Sequence, residues 1–193
     1  KSERISPYFF NAGRFLNGGA MLRLGRCYAS ALNAADLAPE VLFGPAYKGI
    51  PLVTATATAL ADNYNIELPF FFDRKEVKQH GEGGKIVGIP SMGRAILIDD
   101  VITAGTAIRE SMETLKKFGV RGTGVLIGLD RCERGMGALS ADQEVERDCG
   151  LKVISVIDLA DIICWLDDTP RFKVYRADLE LYRDQFGIAL AVK

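Results

Sequence analysis

Along this 193-residue chain the apolar positions change period, from runs of consecutive hydrophobic residues to stretches where they recur every three or four. Continuous runs suit strands buried on both faces, and the wider spacing suits helices with one buried stripe. A short extended run at 7–11 leads into a helical stretch that puts Met21, Leu22, Leu24, Tyr28, Ala31 and Leu32 on one face. Residues 41–43 read as a strand, 51–64 as a helix with proline in its first turn, and 69–72 as the next strand. The segment 73–85 holds one apolar side chain, Val77, and three glycines, so a long exposed loop is expected there. Residues 95–98 are again a strand, followed by a small-residue turn and a helix that buries Ile108, Met112, Leu115 and Phe118. Strands at 125–129 and 153–157 and helices at 161–166 and 173–186 complete the pattern. This alternation predicts an α/β fold with a mostly parallel central sheet flanked by helices, built as one domain over residues 1–193.

The richest chemistry lies at 94–107, RAILIDDVITAGTA. A buried strand there delivers Asp99 and Asp100, and a turn of small residues then opens a helix, the kind of strand end where open α/β sheets bind ligands. Gly105, Ala104 and Ala107 let backbone amides approach a phosphate closely, the helix N-terminus adds its positive end, and Thr103 and Thr106 add hydroxyl donors. The two acids would repel that phosphate, so they are expected to face sugar hydroxyls or a divalent cation. A bare helix cap is the competing reading of the same residues.

Other segments add cations and aromatics. Tyr47 and Lys48 sit in a turn bounded by glycine and proline, LFGPAYKGIP, where the lysine is available to an anionic ligand as well as to solvent. The 73–85 loop concentrates Arg74, Lys75, Lys78, His80 and Lys85, which suits a lid over an anion as well as a solvated surface. Phe9 and Phe10, in SPYFFNAG, point to opposite sides of an extended run, so one of them is available to wall a flat pocket. Arg131, in LDRCERG, lies just past a strand end, where a guanidinium can hold a ligand carboxylate with two bonds or make a surface salt bridge.

The string at 94–107 closely resembles the phosphoribosyl-diphosphate motif of the type I phosphoribosyltransferases. With the other segments, the chain resembles the orotate phosphoribosyltransferase family along essentially its whole length. The resemblance implies a small N-terminal hood, a long mobile loop, and transfer of ribose 5-phosphate from 5-phosphoribosyl 1-diphosphate to orotate in pyrimidine synthesis. It implies that Asp99 and Asp100 contact the ribose hydroxyls while Val101, Ile102, Thr103, Ala104, Gly105, Thr106 and Ala107 wrap the 5-phosphate. Further donor contacts fall to Lys1, Tyr47, Lys48, Arg74, Lys75, Lys78 and His80, and orotate contacts to Phe9, Phe10, Thr103 and Arg131. Lys75, Lys78, His80, Asp99 and Asp100 are the residues expected to act in catalysis. Mg2+ is expected to arrive with the donor diphosphate, and a homodimer is expected to share its sites across the interface. A transferase for another base, or a ligand-sensing regulator of the same fold, are the alternatives.

Composition narrows the partners. Twenty-four Lys and Arg against 25 Asp and Glu give a net charge of −1, which offers no general attraction to nucleic acid or an anionic membrane. No apolar stretch approaches the roughly 20 residues that span a bilayer, and no signal peptide is visible, so a cytoplasmic location is expected. Cys27, Cys132, Cys149 and Cys164 lack paired spacing and have only His80 to join them, so reduced and mostly buried thiols are expected rather than a zinc site. The chain opens at Lys1 directly before an apolar run, which suggests that an N-terminal segment is missing.

Overall fold

The computed structural model describes residues 4–78, 84–90, 93–135, 137 and 139–188. Its centre is a sheet of β1 (Val41–Gly44), β2 (Phe70–Lys78), β3 (Gly84–Val87), β4 (Arg94–Asp99), β5 (Arg121–Asp130) and β6 (Lys152–Asp158). The spatial order is β3-β2-β1-β4-β5-β6. All neighbours are parallel except the β2–β3 pair.

The continuous apolar runs are explained by helices on both faces. Leu42, Ile96, Ile98 and Leu126 point into one layer, under α1 (Gly18–Ala34) and α2 (Gly49–Tyr64). Their neighbours Val41, Phe43, Leu97, Val125 and Ile127 point into the other, under α3 (Thr106–Lys117) and α4 (Ala141–Cys149). Ile96, Leu97 and Ile98 are fully buried, each contributing roughly 1.5–3 kcal/mol of transfer free energy. A third cluster joins α5 (Leu159–Asp167), α6 (Arg176–Phe186) and the N-terminal segment through Leu159, Ile163, Leu179 and Tyr8. The small cap on the sheet is therefore made from both ends of the chain.

The structure departs from the sequence reading in four places. Residues 73–85 are not a plain loop. The polar stretch continues β2 to Lys78 and pairs antiparallel with β3, Lys78 opposite Gly84, with a register shift between Asp73 and Lys78. Hairpin pairing of backbone groups at a sheet edge needs no apolar face, which is why composition hid it. Helix α4 was not expected, because only Ala141, Val145 and Cys149 break its polar run. Phe118, assigned to the buried side of α3, caps the helix and is 41% exposed. The thiols are not mostly buried, since Cys27 and Cys164 are exposed while Cys132 is buried. Among the described residues no helix is long and apolar enough to cross a membrane.

Candidate active site

Strand order positions the site. From β1 the chain crosses through α2 to β2 on one side, and from β4 through α3 to β5 on the other. The carboxyl ends of β1 and β4 thus face loops that part in opposite directions and leave a crevice between them. Loops 45–48, 100–105 and 131–135 all open onto this edge.

At the centre, Asp99 Oδ1 accepts from the Asp100 N–H at 2.9 Å and Asp100 Oδ1 accepts from the Val101 N–H at 3.0 Å. The other Asp100 oxygen accepts from Lys48 Nζ at 2.5 Å. Asp100 is buried, with both oxygens engaged, and Lys48 is its partner as well as a candidate diphosphate ligand. Asp99 is half-buried. Burial pushes its carboxyl up to about 6; the Asp100 N–H opposes this, the Asp100 carboxylate adds to it, and Lys48 and Lys75 oppose it from a distance. The buried Tyr28 hydroxyl donates to the Asp99 carbonyl at 2.9 Å, bracing the strand end from α1.

After the acids, Gly105 takes φ 67° and opens α3 without a side-chain cap, leaving the first-turn amides directed outward. Arg109 holds the Ala104 carbonyl at 2.9 Å and Asp148 at 3.2 Å, fixing the turn. Ile102 is buried, while Thr103, Ala104, Thr106 and Ala107 are exposed.

On the β1 side, the Ala46 N–H donates to Asp73 Oδ1 at 2.6 Å, tying loop 45–48 to β2. The Ala46–Tyr47 peptide is cis and Tyr47 is exposed. Arg74 Nη1 is buried without a partner among the described residues. Lys75 lies exposed on β2. Lys78 ends β2, and its side chain lies outside the described residues, as do Lys1 and His80.

Beyond α3, a cavity of about 500 Å³ is lined by Thr103, Arg131 and Asp130 among others. Arg131 is half-buried, with Nη2 on Glu133 Oε1 at 2.6 Å and its guanidinium 5.2 Å from the Tyr8 ring centroid. Burial works against the charge, but the Tyr8 hydroxyl and Glu133 outweigh it and hold the pKa above its ordinary value. Arg131 Nε is buried without a partner among the described residues. The two phenylalanines separate: Phe10 packs over Gly128 of β5 and against Phe15, whereas Phe9 is 75% exposed. Neither lines the 500 Å³ cavity, so the structure brings Thr103 and Arg131 together and leaves Phe9 apart.

Residues 11–155 match the phosphoribosyl transferase domain family. Orotate phosphoribosyltransferase of Pseudoalteromonas translucida (strain TAC 125) is 57% identical over 189 residues, 98% of this chain and 88% of that protein. The chain belongs to the orotate phosphoribosyltransferase family. The enzyme of Alteromonas mediterranea is 56% identical over 188 residues, 97% of this chain and 88% of its own. Among solved structures, the orotate phosphoribosyltransferase of Francisella tularensis superposes with a TM-score of 0.83 at 39% identity, covering 97% of this chain and 90% of that one.

Four further residues brace the candidate site: Tyr28, Asp73, Arg109 and Glu133. Sequence patterning assigned Tyr28 to a helix core stripe and left the other three among ordinary surface charges. Their partners lie 71, 27, 39 and 2 residues away, and only the last spacing is visible locally.

Proposed function

We propose that the crevice between the β1 and β4 loops holds 5-phosphoribosyl 1-diphosphate and that orotate enters from the Arg131 side. The observation that carries this reading is the strand-end pair Asp99–Asp100 leading directly into an uncapped helix N-terminus, 100–106, beside a cavity that contains Arg131. A polyol is matched to the acids and a phosphate to the amides of 103–107. Lys48 and Tyr47 meet the diphosphate, joined by Arg74, Lys75, Lys78 and His80 from the β2–β3 hairpin and by Lys1. Orotate's carboxylate competes with Glu133 for Arg131 and gains the unpaired Nε, while Thr103 borders the base and Phe9 and Phe10 approach it from outside the cavity wall.

In the reaction, the ribose C1–oxygen bond breaks and its electron pair leaves with the diphosphate. Orotate N1 bonds to C1 and its proton is released, giving orotidine 5-monophosphate. Charge develops on both fragments, so positioning and electrostatics carry catalysis. The hairpin cations neutralise the diphosphate, and Lys78 or His80 delivers a proton to it.

The residues fit Mg2+ brought by the donor rather than held in a protein cage. Both Asp100 oxygens are engaged, and no group of three or more metal-ligating side chains occurs among the described residues. Such an ion neutralises diphosphate oxygens when bound. The protein acts as a homodimer in which the hairpin of one subunit serves the site of the other.

Following orotate absorbance with the donor and Mg2+, beside uracil, adenine and hypoxanthine, tests the assignment. Turnover with orotate alone is expected, and equal turnover with another base overturns the acceptor assignment.

A further inference from the structure

Asp142 is not used by the proposed chemistry, yet it lies in the wall of the same cavity as Arg131. It sits in the first turn of α4 and is 8% exposed. Its Oδ2 is buried and meets no donor among the described residues. Asp130, the residue immediately before Arg131, stands with it in the wall of this cavity and of a smaller one beside it. Asp130 in turn accepts the Cys132 N–H at 2.6 Å, holding the turn in which Cys132 takes φ 50°. Two carboxylates cannot bond each other unless one carries a proton.

The charged groups around Asp142 give it no counter-ion among the described residues. Asp130 faces it from β5, with Asp158 of β6 paired to Asp130 in register, and Glu146 faces it from its own helix. Across the cavity, Arg109 of α3 is held by Ala104 and Asp148, Arg134 by the Gln185 carbonyl, and Arg4 and Arg131 by Glu133. The positive end of α4 favours the ionised form, but burial and the Asp130 carboxylate outweigh it and raise the Asp142 carboxyl to about 8.

The geometry points to Asp142 as a positioning residue: a neutral acid whose proton bonds Asp130, locking α4 to the turn that aims Arg131 at the acceptor. This rests on the reading of Arg131 as the acceptor's anchor. Ionisation of Asp142 sets two carboxylates against each other directly behind that arginine, so acceptor binding weakens in alkali while donor binding does not.

The test measures KM for orotate and for the donor from about pH 7 to about pH 9.5, in the unaltered protein, Asp142→Asn, Asp142→Ala and Arg131→Ala. An amide keeps the donated hydrogen bond without the titration. In the unaltered protein the orotate KM is expected to rise about tenfold across the range with the donor KM steady, since misplacing a binding group falls on the ligand it holds. Asp142→Asn is expected to stay near the neutral-pH value throughout, and Asp142→Ala to be raised at every pH. The inference is overturned if Asp142→Asn titrates like the unaltered protein or is raised at neutral pH, and these two proteins decide the matter even if the alanine variant does not fold. Arg131→Ala separates the layers. If it leaves the orotate KM unchanged, the anchor reading itself fails; if it raises that KM while Asp142→Asn still titrates, only the role of Asp142 is lost.

Discussion

Asp99 shows how one side chain sets opposing demands. Its folded pKa, about 6, lies above the ordinary carboxylate value because burial, with the Asp100 carboxylate, disfavours the charge more than the Asp100 N–H, Lys48 and Lys75 favour it. The stabilising effect of the proton is therefore fully present below the ordinary carboxylate range and is lost as pH rises through 6. The shift from 3.8 to about 6 corresponds to about 2–3 kcal/mol as an upper bound. Denaturation midpoints should fall for the unaltered protein between about pH 4 and 7, and Asp99→Asn should flatten that fall. Donor affinity should move the other way, because only the ionised carboxylate accepts two ribose hydroxyls. Titration calorimetry with the donor should show affinity dropping as pH is lowered through 6, and an affinity that holds steady there removes Asp99 from the ribose site.

Among the elements, β5 does the most positioning. Gly128 leaves space that Phe10 and Tyr28 fill: a Cβ there would stand 2.7 Å from both Phe10 Cζ and the Tyr28 hydroxyl. Gly128→Ala should destabilise the protein by about 1–3 kcal/mol through overpacking, read as a lower urea midpoint with an unchanged slope. An unchanged midpoint would mean that Phe10 is not held where it lies. The β4–turn–α3 unit was legible in the sequence because its signals are local: an apolar run, two acids and small residues in succession. Two elements escaped for physical reasons. The outer half of β2 and its partner β3 are held by backbone pairing, which leaves no hydrophobic pattern. Helix α4 announces itself through Ser140 and Gln143, which bond each other's backbone N–H groups as a capping box, a signal present in the sequence but overshadowed by a weak apolar period. The candidate site residues stand out in the sequence as types, and Arg131–Glu133 is a local pair, but the pairings Lys48–Asp100 and Asp73–Ala46 arise from strand order, which no single segment encodes.

For the whole molecule, the proposed sharing of the hairpin between subunits is open to a mixing experiment. One variant carries Lys75→Ala with Lys78→Ala, and the other Asp99→Asn with Asp100→Asn, each nearly inactive alone. After subunit exchange, about half the dimers are mixed and roughly a quarter of all sites carry no lesion, if the hairpin acts in trans. Mixing without recovery, despite proven exchange, places the hairpin over its own subunit. Chain order has another consequence, in the cap where Tyr8 packs against Tyr182 with centroids 6.0 Å apart and Arg4 stands 5.2 Å from the Phe186 ring centroid. These contacts close the longest loops in the fold, so their entropy is met late, after the sheet has condensed. On the ribosome Tyr8 emerges well before the helix it packs against. Tyr8, and with it the cation–π seat of Arg131, waits for α6, which is made only after every strand of the sheet.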